Sequence, residues 1–559
     1  MSSTNKKPNI IIIVADDLGF TDTSAFGGEI NTPNLQKLAE NGLRFTDFHT
    51  ASACSPTRSM LLSGTDNHIA GLGQMHEFAQ RIPEKFANKP GYEGYLNFKV
   101  AALPEILKDD GYYNFISGKW HLGLSEEHWP DKRGFEKSFA LLPGAGNHYK
   151  YFPKNNDGNY LNFLNPLFEE NGKKLNPDTD IPDDYYSTDY FTDKFIKFLN
   201  SNDRKERPFF GLLTYTAPHW PYQAPESIIA KYKGVYDNGP EELRSERLNR
   251  AIKLGILPEG VEPHKVETQR EKAWKDLTKQ EKEIESKIME IYAAMVEIMD
   301  KNIGRILDNV KELGEEDNTF VLFMSDNGAE GMMMEALATT AERFQHFVGT
   351  YYNNDFENLG KKDSFVWYSD QWAQAATAPY YMYKMWASEG GIRCPLIVSY
   401  PNLIEKKDDG QIKPAFVTVM DILPTILELA KVEHPAPFFQ NRNVVEVRGS
   451  SWVEYLKNNT DYVHDENKIT GWELFAQQAI RKGKYKALYI PKPLGTDKWQ
   501  LFDLSTDPGE TNDLSAVHPE LLNELVNHWS EYVAETGLVE CSDIFYEALK
   551  GEYEKKVLY

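Results

Sequence analysis

The segment PNIIIIVADDLGF, residues 8–20, constrains the fold more than any other part of the chain. Its isoleucines and valine form a continuous, short, β-branched apolar run. A strand with one face in water alternates apolar and polar residues, whereas a strand of a parallel sheet is buried on both faces and does not alternate. The run stops at Asp16 and Asp17. It therefore predicts a central strand covered on both sides, with two carboxylates at its carboxyl end.

The rest of the chain alternates between helix and strand patterns. Residues 32–42 predict a helix, with Thr32 as the N-cap, Pro33 in the first turn and Gly42 as the terminator. Residues 43–52 predict one strand. This alternation is typical of an α/β fold, a large mixed sheet with helices on both faces. Other segments that fit it are helices at 103–112, 190–200, 284–310 and 416–432 and a strand at 394–401. Segments 113–123 and 208–221 each predict a strand followed by a loop, and 319–330 predicts a buried strand that ends in polar residues.

The pattern of predicted elements changes after residue 435. The segments ALYIPKP and WQLFDLSTDPGE suggest short strands, and PELLNELVNHWSEYVAET suggests a terminal helix. We find no internal repeat and no low-complexity tract. The sequence therefore predicts two domains: a large α/β domain at 1–435, which carries the candidate site, and a smaller C-terminal α+β subdomain at 436–559.

Composition excludes several classes of partner. The 559 residues include 61 basic and 84 acidic side chains, a net charge of −23. Such a chain has no general attraction for nucleic acid or anionic lipid, so neither is expected as a partner. The three cysteines are no disulfide framework and fit a reducing compartment. Without a convincing secretion signal or membrane-spanning stretch, a cytoplasmic location is expected.

Two strand ends carry hard oxygen ligands. Asp16 and Asp17 end the first strand, and Asp326 and Asn327 follow a later buried strand. Ligands of open α/β sheets bind beyond the carboxyl ends of the strands. Each pair alone is also typical of a solvated strand end or a turn. Together they favour a bound divalent cation, Ca²⁺ or Mg²⁺ rather than zinc, because carboxylate and amide oxygens suit hard ions.

Cationic side chains follow the same pattern. Arg58 lies one turn beyond Cys54, and Lys119 and His121 stand at the end of another strand. His219 follows a further strand, and Lys384 precedes a Gly-Gly turn. Any one of them alone is more typical of an exposed or hydrogen-bonded surface residue. Their shared position at strand ends favours an anion-binding site.

Cys54, in ACSPTRSMLLSG, admits three interpretations. It is a small buried hydrophobe, or a thiol nucleophile activated by the nearby Arg58, or the precursor of another group. The residues alone leave these alternatives open.

The segment CSPTR followed by LLSG resembles the signature of the type I sulfatases, which belong to the alkaline phosphatase superfamily. The likeness extends to NIIIIVADDLG, GKWHLG, APHWP, MSDNGAE, GGIRCP and DLSTDPGETNDL, and so covers nearly the whole chain. It is strongest toward the bacterial arylsulfatases of the Pseudomonas type, in DFHTAS, CSPTRSMLL and ATAPYYMYK. The resemblance implies an alkaline phosphatase-like fold and a sulfatase that acts on sulfate monoesters, aryl sulfates first among them.

In that family the cysteine of the signature is oxidised to formylglycine, so the resemblance implies that Cys54 is a precursor matured by a formylglycine-generating enzyme. The chemistry makes sense by itself. A hydrated aldehyde offers two hydroxyls on one carbon: one attacks sulfur, and deprotonation of the other expels sulfate. A sulfated thiol has no such exit.

The resemblance also assigns roles. Ca²⁺, with Mg²⁺ as the weaker alternative, is held by Asp16, Asp17, Asp326, Asn327 and the modified Cys54. Arg58 anchors the hydrate and Lys119 bridges to a sulfate oxygen. His121 is the base of the elimination, while His219 and Lys384 hold a sulfate oxygen and protonate or stabilise the leaving group.

Two other functions stay open at this point. One is a phosphodiester or phosphonate monoester hydrolase of the same superfamily, because phosphate and sulfate esters share geometry. The other is a non-catalytic Ca²⁺-binding protein on a sulfatase scaffold, because fold does not dictate function. The identity of the leaving group is also open.

Overall fold

The computed structural model describes residues 6–270, 272–331 and 341–541. Its large sheet has ten strands in the order β11-β2-β10-β9-β1-β8-β4-β5-β6-β7. The strands of this sheet are β1 Asn9–Ala15, β2 Leu43–Phe45, β4 Tyr113–Lys119, β5 Lys137–Leu141, β6 Phe168–Glu170, β7 Lys173–Lys174, β8 Phe209–Thr214, β9 Thr319–Ser325, β10 Leu396–Ser399 and β11 Ile412–Lys413. Short two-stranded sheets pair β3 Phe48–His49 with β12 Val417–Thr418, and β13 Phe438–Phe439 with β14 Arg442–Asn443.

The middle of the sheet is parallel. Strand β1 pairs in parallel with β8 and β9, and β4 pairs in parallel with β8 and β5. Antiparallel pairs lie at the flanks, where β10 joins β9 to β2 and β6 joins β5 to β7. The sheet is therefore mixed, and the carboxyl ends of β9, β1, β8 and β4 meet at one edge.

Strand β1 is buried on both faces, as its apolar run predicts. Its residues are fully buried, Ile11 and Ile13 in one hydrophobic core and Ile10 and Ile12 in another. The two cores lie on opposite faces because successive side chains of a strand point to opposite sides. The helices of the described residues are α1 Pro33–Glu40, α2 Cys54–Ser63, α3 Asn67–Ala70, α4 His76–Ala79, α5 Pro83–Phe86, α6 Leu103–Asp109, α7 Pro177–Asp180, α8 Ser187–Leu199, α9 Glu226–Ile229, α10 Pro240–Lys253, α11 Lys279–Glu312, α12 Ala341–Tyr351, α13 Asp370–Ala376, α14 Glu389–Ile392, α15 Ile422–Ala430, α16 Val453–Leu456 and α17 Pro519–Thr536.

Three local predictions differ from the structure. Thr32 holds the N-cap position of α1, but its hydroxyl accepts from the Ser24 amide instead of capping the helix. The first-turn amides of Asn34 and Leu35 donate to Asp300 of α11, at 3.1 and 2.7 Å. Residues 43–52 form two short strands rather than one. Of the predicted helix 416–432, only residues from 422 on are α-helical.

The C-terminal part is the predicted α+β unit. Strands β15 Ile469–Leu474, β16 Gln477–Lys482, β17 Tyr485–Tyr489 and β18 Trp499–Asp503 form an antiparallel meander. Helix α17 packs on it through Leu525, Trp529 and Tyr532. The predicted α/β class with a smaller C-terminal α+β part is confirmed. The boundary at residue 436 stays a prediction, and residues 542–559 of the predicted subdomain lie outside the described residues.

Among the described residues no helix combines the length and the apolar character needed to cross a membrane. Cys54, Cys394 and Cys541 are all buried, and no disulfide joins any two of them.

Candidate active site

Strand pairing explains why the two acidic strand ends meet. Ala15 of β1 lies opposite Ser325 of β9, so Asp16 and Asp326 leave the sheet side by side. The amide of Asp17 donates to Oδ1 of Asp326 at 3.3 Å. Asp17 takes a φ of 68°, a left-handed conformation that is uncommon for aspartate and often found at functional sites.

Cys54 joins this acidic pair. It begins helix α2, and its sulfur lies 3.7 Å from Oδ1 of Asp17. The helix N-terminus adds a partial positive charge that favours an anion. Four buried residues hold potential ligand atoms within 4.8 Å of one another: Asp16, Asp17, Cys54 and Asp326.

The donor set fits a divalent cation. Three carboxylates this close repel each other in a buried site unless they share a cation. The side-chain oxygen of Asn327 is buried with no hydrogen-bond partner among the described residues, while its amide nitrogen donates to Asp17 at 2.7 Å. Carboxylates next to an orphaned amide oxygen are ligands that Ca²⁺ and Mg²⁺ prefer.

Two cations neutralise Asp16 and Asp326. The Lys119 ammonium, at the end of β4, donates to both oxygens of Asp16 at 2.9 and 2.7 Å. Arg58 donates from two nitrogens to Oδ2 of Asp326 at 3.0 and 2.8 Å. Burial acts against both charges, yet the carboxylates raise the pKa of Lys119 and of Arg58 above their ordinary values. Both side chains are therefore fixed positive charges.

Lys384 and His219 face Asp17. The ammonium of Lys384 lies 2.9 Å from Asp17 and 2.9 Å from Glu330. Nδ1 of His219 donates to the carbonyl oxygen of Trp220 at 2.7 Å, which leaves Nε2 at 3.4 Å from Asp17. Burial lowers the pKa of His219 well below its ordinary value, despite Asp17. A neutral His219 therefore presents an unprotonated Nε2 to the site.

His121 is held by a different partner. Its Nε2 lies 3.1 Å from Oε1 of Glu77, and its Nδ1 is buried without a hydrogen-bond partner in the described part of the chain. Burial lowers the pKa of His121, and the charges of Lys119 and Arg58 act in the same direction against Glu77. A neutral imidazole with one open nitrogen is suited to accept a proton.

The Cys54 thiol is a poor nucleophile where it lies. Burial, and after it the carboxylate of Asp16, raise the pKa of this thiol well above its ordinary value. Reactive cysteines show the opposite shift, because the thiolate is the nucleophile. The structure therefore counts against the interpretation of Cys54 as a thiol nucleophile activated by Arg58.

The structure brings the predicted ligands and cations to one edge of the sheet. His121 follows Lys119 by two residues and is bonded to Glu77 rather than to any of them. Two neighbours were missed. Glu330, bonded to Lys384, stands in the MSDNGAE segment, where only the Asp and Asn were singled out. Glu77, bonded to His121, lies in a segment where nothing in the sequence marks it.

The sequence model of the family described as Sulfatase matches residues 8–432. The chain belongs to the sulfatase family. A second model, described as N-sulphoglucosamine sulphohydrolase, C-terminal, matches residues 379–535. This sulfatase is 53% identical over 541 residues to an uncharacterised sulfatase of Schizosaccharomyces pombe, covering 97% of this chain and 96% of the relative. It is 35% identical over 437 residues to an arylsulfatase of Klebsiella aerogenes, covering 77% and 88%.

The fold is shared with solved structures. The crystal structure of Ps i-CgsB in complex with k-i-k-neocarrahexaose superposes with a TM-score of 0.66 at 22% identity, over 98% of this sulfatase and 97% of that chain. The alkaline phosphatase-like fold implied by the sequence is thereby confirmed. As a member of its family, the protein is a hydrolase of sulfuric esters.

Proposed function

We propose that this sulfatase hydrolyses aryl sulfates with a formylglycine made from Cys54 and a bound Ca²⁺. One observation carries the proposal: Cys54 lies among three buried carboxylates, inside a ring of cationic side chains. The arylsulfatase relative from Klebsiella aerogenes supports aryl sulfates as the substrate class.

Asp16, Asp17, Asp326 and Asn327 would hold the ion, together with the oxygen that replaces the sulfur of Cys54. We favour Ca²⁺ over Mg²⁺ because Ca²⁺ accepts several protein oxygens in irregular geometry, whereas Mg²⁺ usually keeps several waters. Bound there, the ion would neutralise sulfate charge and lower the pKa of a hydroxyl on the modified residue.

The charges of the site support a monoanionic substrate. Four carboxylates (Asp16, Asp17, Asp326 and Glu330) face three cations (Arg58, Lys119 and Lys384). With all of them ionised, the sum is one negative charge, and a divalent cation changes it to one positive charge. A sulfate monoester carries one negative charge, which this site complements.

The remaining side chains bind, orient and move protons. Formylglycine hydrate would supply the attacking hydroxyl and, by returning to the aldehyde, the means to release sulfate. Arg58 would orient this group and Lys119 would bind a sulfate oxygen. His121 would take a proton at Nδ1, and Lys384 would stabilise the departing oxygen. His219 would join Lys384 in this role once its Nε2 has taken up a proton. Prearranged charges of this kind are usually the largest contribution to catalysis.

Mass analysis of the peptide that contains residues 53–58 tests the modification directly. Conversion of the Cys54 thiol to an aldehyde replaces H₂S by O, and so the peptide mass falls by about 18 Da. We expect this shift in protein that turns over sulfate and was made with a formylglycine-generating enzyme. A fully active preparation with an unmodified cysteine would contradict the proposal.

A phosphodiester or phosphonate monoester hydrolase is the second candidate, since these substrates carry the same single charge as a sulfate monoester. Matched 4-nitrophenyl esters separate the two. We expect kcat/KM to be at least about tenfold higher for the sulfate, a preference of roughly 1.4 kcal/mol in the transition state. The reverse order would assign the site to phosphoryl transfer. The doubly charged phosphate monoester should be the poorest of the four classes of ester.

A non-catalytic Ca²⁺-binding role would leave the buried cations and histidines around Cys54 without a function. The maturation enzyme and a cytoplasmic location belong to the same proposal. The location is supported by three cysteines that form no disulfide with one another.

A further inference from the structure

The loop that carries Lys384, residues 382–389, has a backbone conformation that its own residue types do not favour. Met382 and Met385, on either side of the lysine, take φ values of 57° and 71°. Residues other than glycine avoid this left-handed region, and persist there when the surrounding structure holds them. We call these residues the Lys384 loop and ask what holds them.

Two of the contacts come from the catalytic side. The Lys384 amide donates to the carbonyl oxygen of Ala329 at 3.0 Å, just beyond the Asp326-Asn327 pair. The Met385 amide donates to the carbonyl oxygen of Ser52 at 2.8 Å, just before Cys54. These bonds fix the loop relative to the metal-ligand candidates and to Cys54.

Two further contacts come from the C-terminal part. The Ala387 amide donates to Oε1 of Gln477, the first residue of β16, at 3.1 Å. The Glu389 amide donates to Oε2 of Glu510 at 2.8 Å. Glu510 belongs to the DLSTDPGE segment, which the proposed function does not otherwise use. Gln477 and Glu510 are 1% and 3% exposed, so water does not compete for these bonds.

A buried lysine keeps the acceptors in place. Lys486 of β17 is fully buried and lies 2.8 Å from Glu389 and 2.9 Å from Glu510. Without it, two carboxylates would face each other in the interior. Glu389 also lies in a possible ligand group with Asp47 and His49, but Lys486 and Arg393 already neutralise it. We therefore assign this cluster to ion pairing.

We infer that Gln477 and Glu510 of the C-terminal part are positioning residues, which act on the reaction through Lys384 by holding its loop. The inference rests on the proposed function, in which Lys384 stabilises the departing oxygen. In this inference the C-terminal part supports catalysis without touching the reacting atoms, because it holds the loop that carries Lys384.

The test is a pair of aryl sulfates with leaving groups of different acidity, phenyl sulfate and 4-nitrophenyl sulfate. The poor leaving group needs the Lys384 charge more, because more negative charge develops on its oxygen. We expect Gln477→Met, which keeps the size and removes the acceptor, to lower kcat/KM about tenfold more for phenyl sulfate than for 4-nitrophenyl sulfate. That is part of the ~10²–10⁴-fold effect of a positioned acid. Glu510→Met, which likewise removes the acceptor, should change the ratio in the same direction.

The ratio of the two substrates does not depend on how much of the variant folds, since both rates scale with the folded fraction. Glu524→Gln is the matched control, because it removes an exposed ion pair with Lys482 of the same sheet; its ratio should equal that of the wild type. Equal losses for both substrates in the Gln477 and Glu510 variants would overturn the inference alone. A matured wild type that hydrolyses neither substrate would instead count against the proposed function.

Discussion

Replacing Cys54 with alanine is expected to abolish sulfate ester hydrolysis. In the proposed function this residue supplies the attacking hydroxyl, and loss of a nucleophile that works with its neighbours as a unit costs at least about 10⁴-fold in kcat. Stability should change little, by roughly 1–2 kcal/mol, since only a buried sulfur is removed. Initial rates on 4-nitrophenyl sulfate and thermal unfolding measure the two effects.

Cys394→Ala is the matched control for this variant. Cys394 is also a buried free cysteine, and its sulfur contacts the hydroxyl of Thr50. We expect Cys394→Ala to lose a similar amount of stability and to keep its turnover. Undiminished hydrolysis by Cys54→Ala would remove the nucleophile assignment, whatever the control shows.

Removal of the divalent ion should have the second largest effect. With Ca²⁺ chelated, the carboxylates of Asp16, Asp17 and Asp326 lose the charge they share. We expect turnover to fall at least about 10²-fold, because such an ion supplies several kcal/mol of charge stabilisation. The folded state should also lose about 2.7 kcal/mol of the stabilisation that a hundredfold excess of ligand over its Kd provides.

Added Ca²⁺ should restore both turnover and the unfolding temperature, and Mg²⁺ should restore them less. The non-catalytic Ca²⁺-binding alternative would be favoured by a different result. In that case protein with a modified Cys54 would be inactive even with Ca²⁺ bound, and chelation would lower only its stability. Full turnover in protein shown by elemental analysis to hold no metal would contradict the metal proposal.

The sequence predicts best where burial is complete. Strand β1 could be predicted from its apolar run alone. A strand buried on both faces is apolar throughout, so it can be recognised without knowing which strands pair with it. The proximity of the acidic ends of β1 and β9 could also be predicted, because the carboxyl ends of parallel strands lie at the same edge of a sheet. The fold class and the neighbourhood of Asp16, Asp17 and Asp326 follow from these two regularities, whereas the family resemblance was needed to add Cys54 as a ligand.

The missed features depend on residues distant in the sequence. Helix α1 is capped by Asp300, more than 250 residues beyond its start, so its own Thr32 is free for another bond. Glu77 reaches His121 from the four-residue helix α4, which no sequence pattern marks. Local propensity carries no information on such contacts, which arise only from tertiary packing.

The burial of Cys54 also limits the time during which its thiol is accessible to another enzyme. The residue is 1% exposed in the finished fold, where it lies beside Asp326, the residue that follows β9. Roughly 270 residues separate them, and at 5–20 residues per second a ribosome needs about 14 to 54 s to add that length. In the proposed function, a formylglycine-generating enzyme would therefore meet an accessible thiol during synthesis, and a late encounter would find the thiol already enclosed.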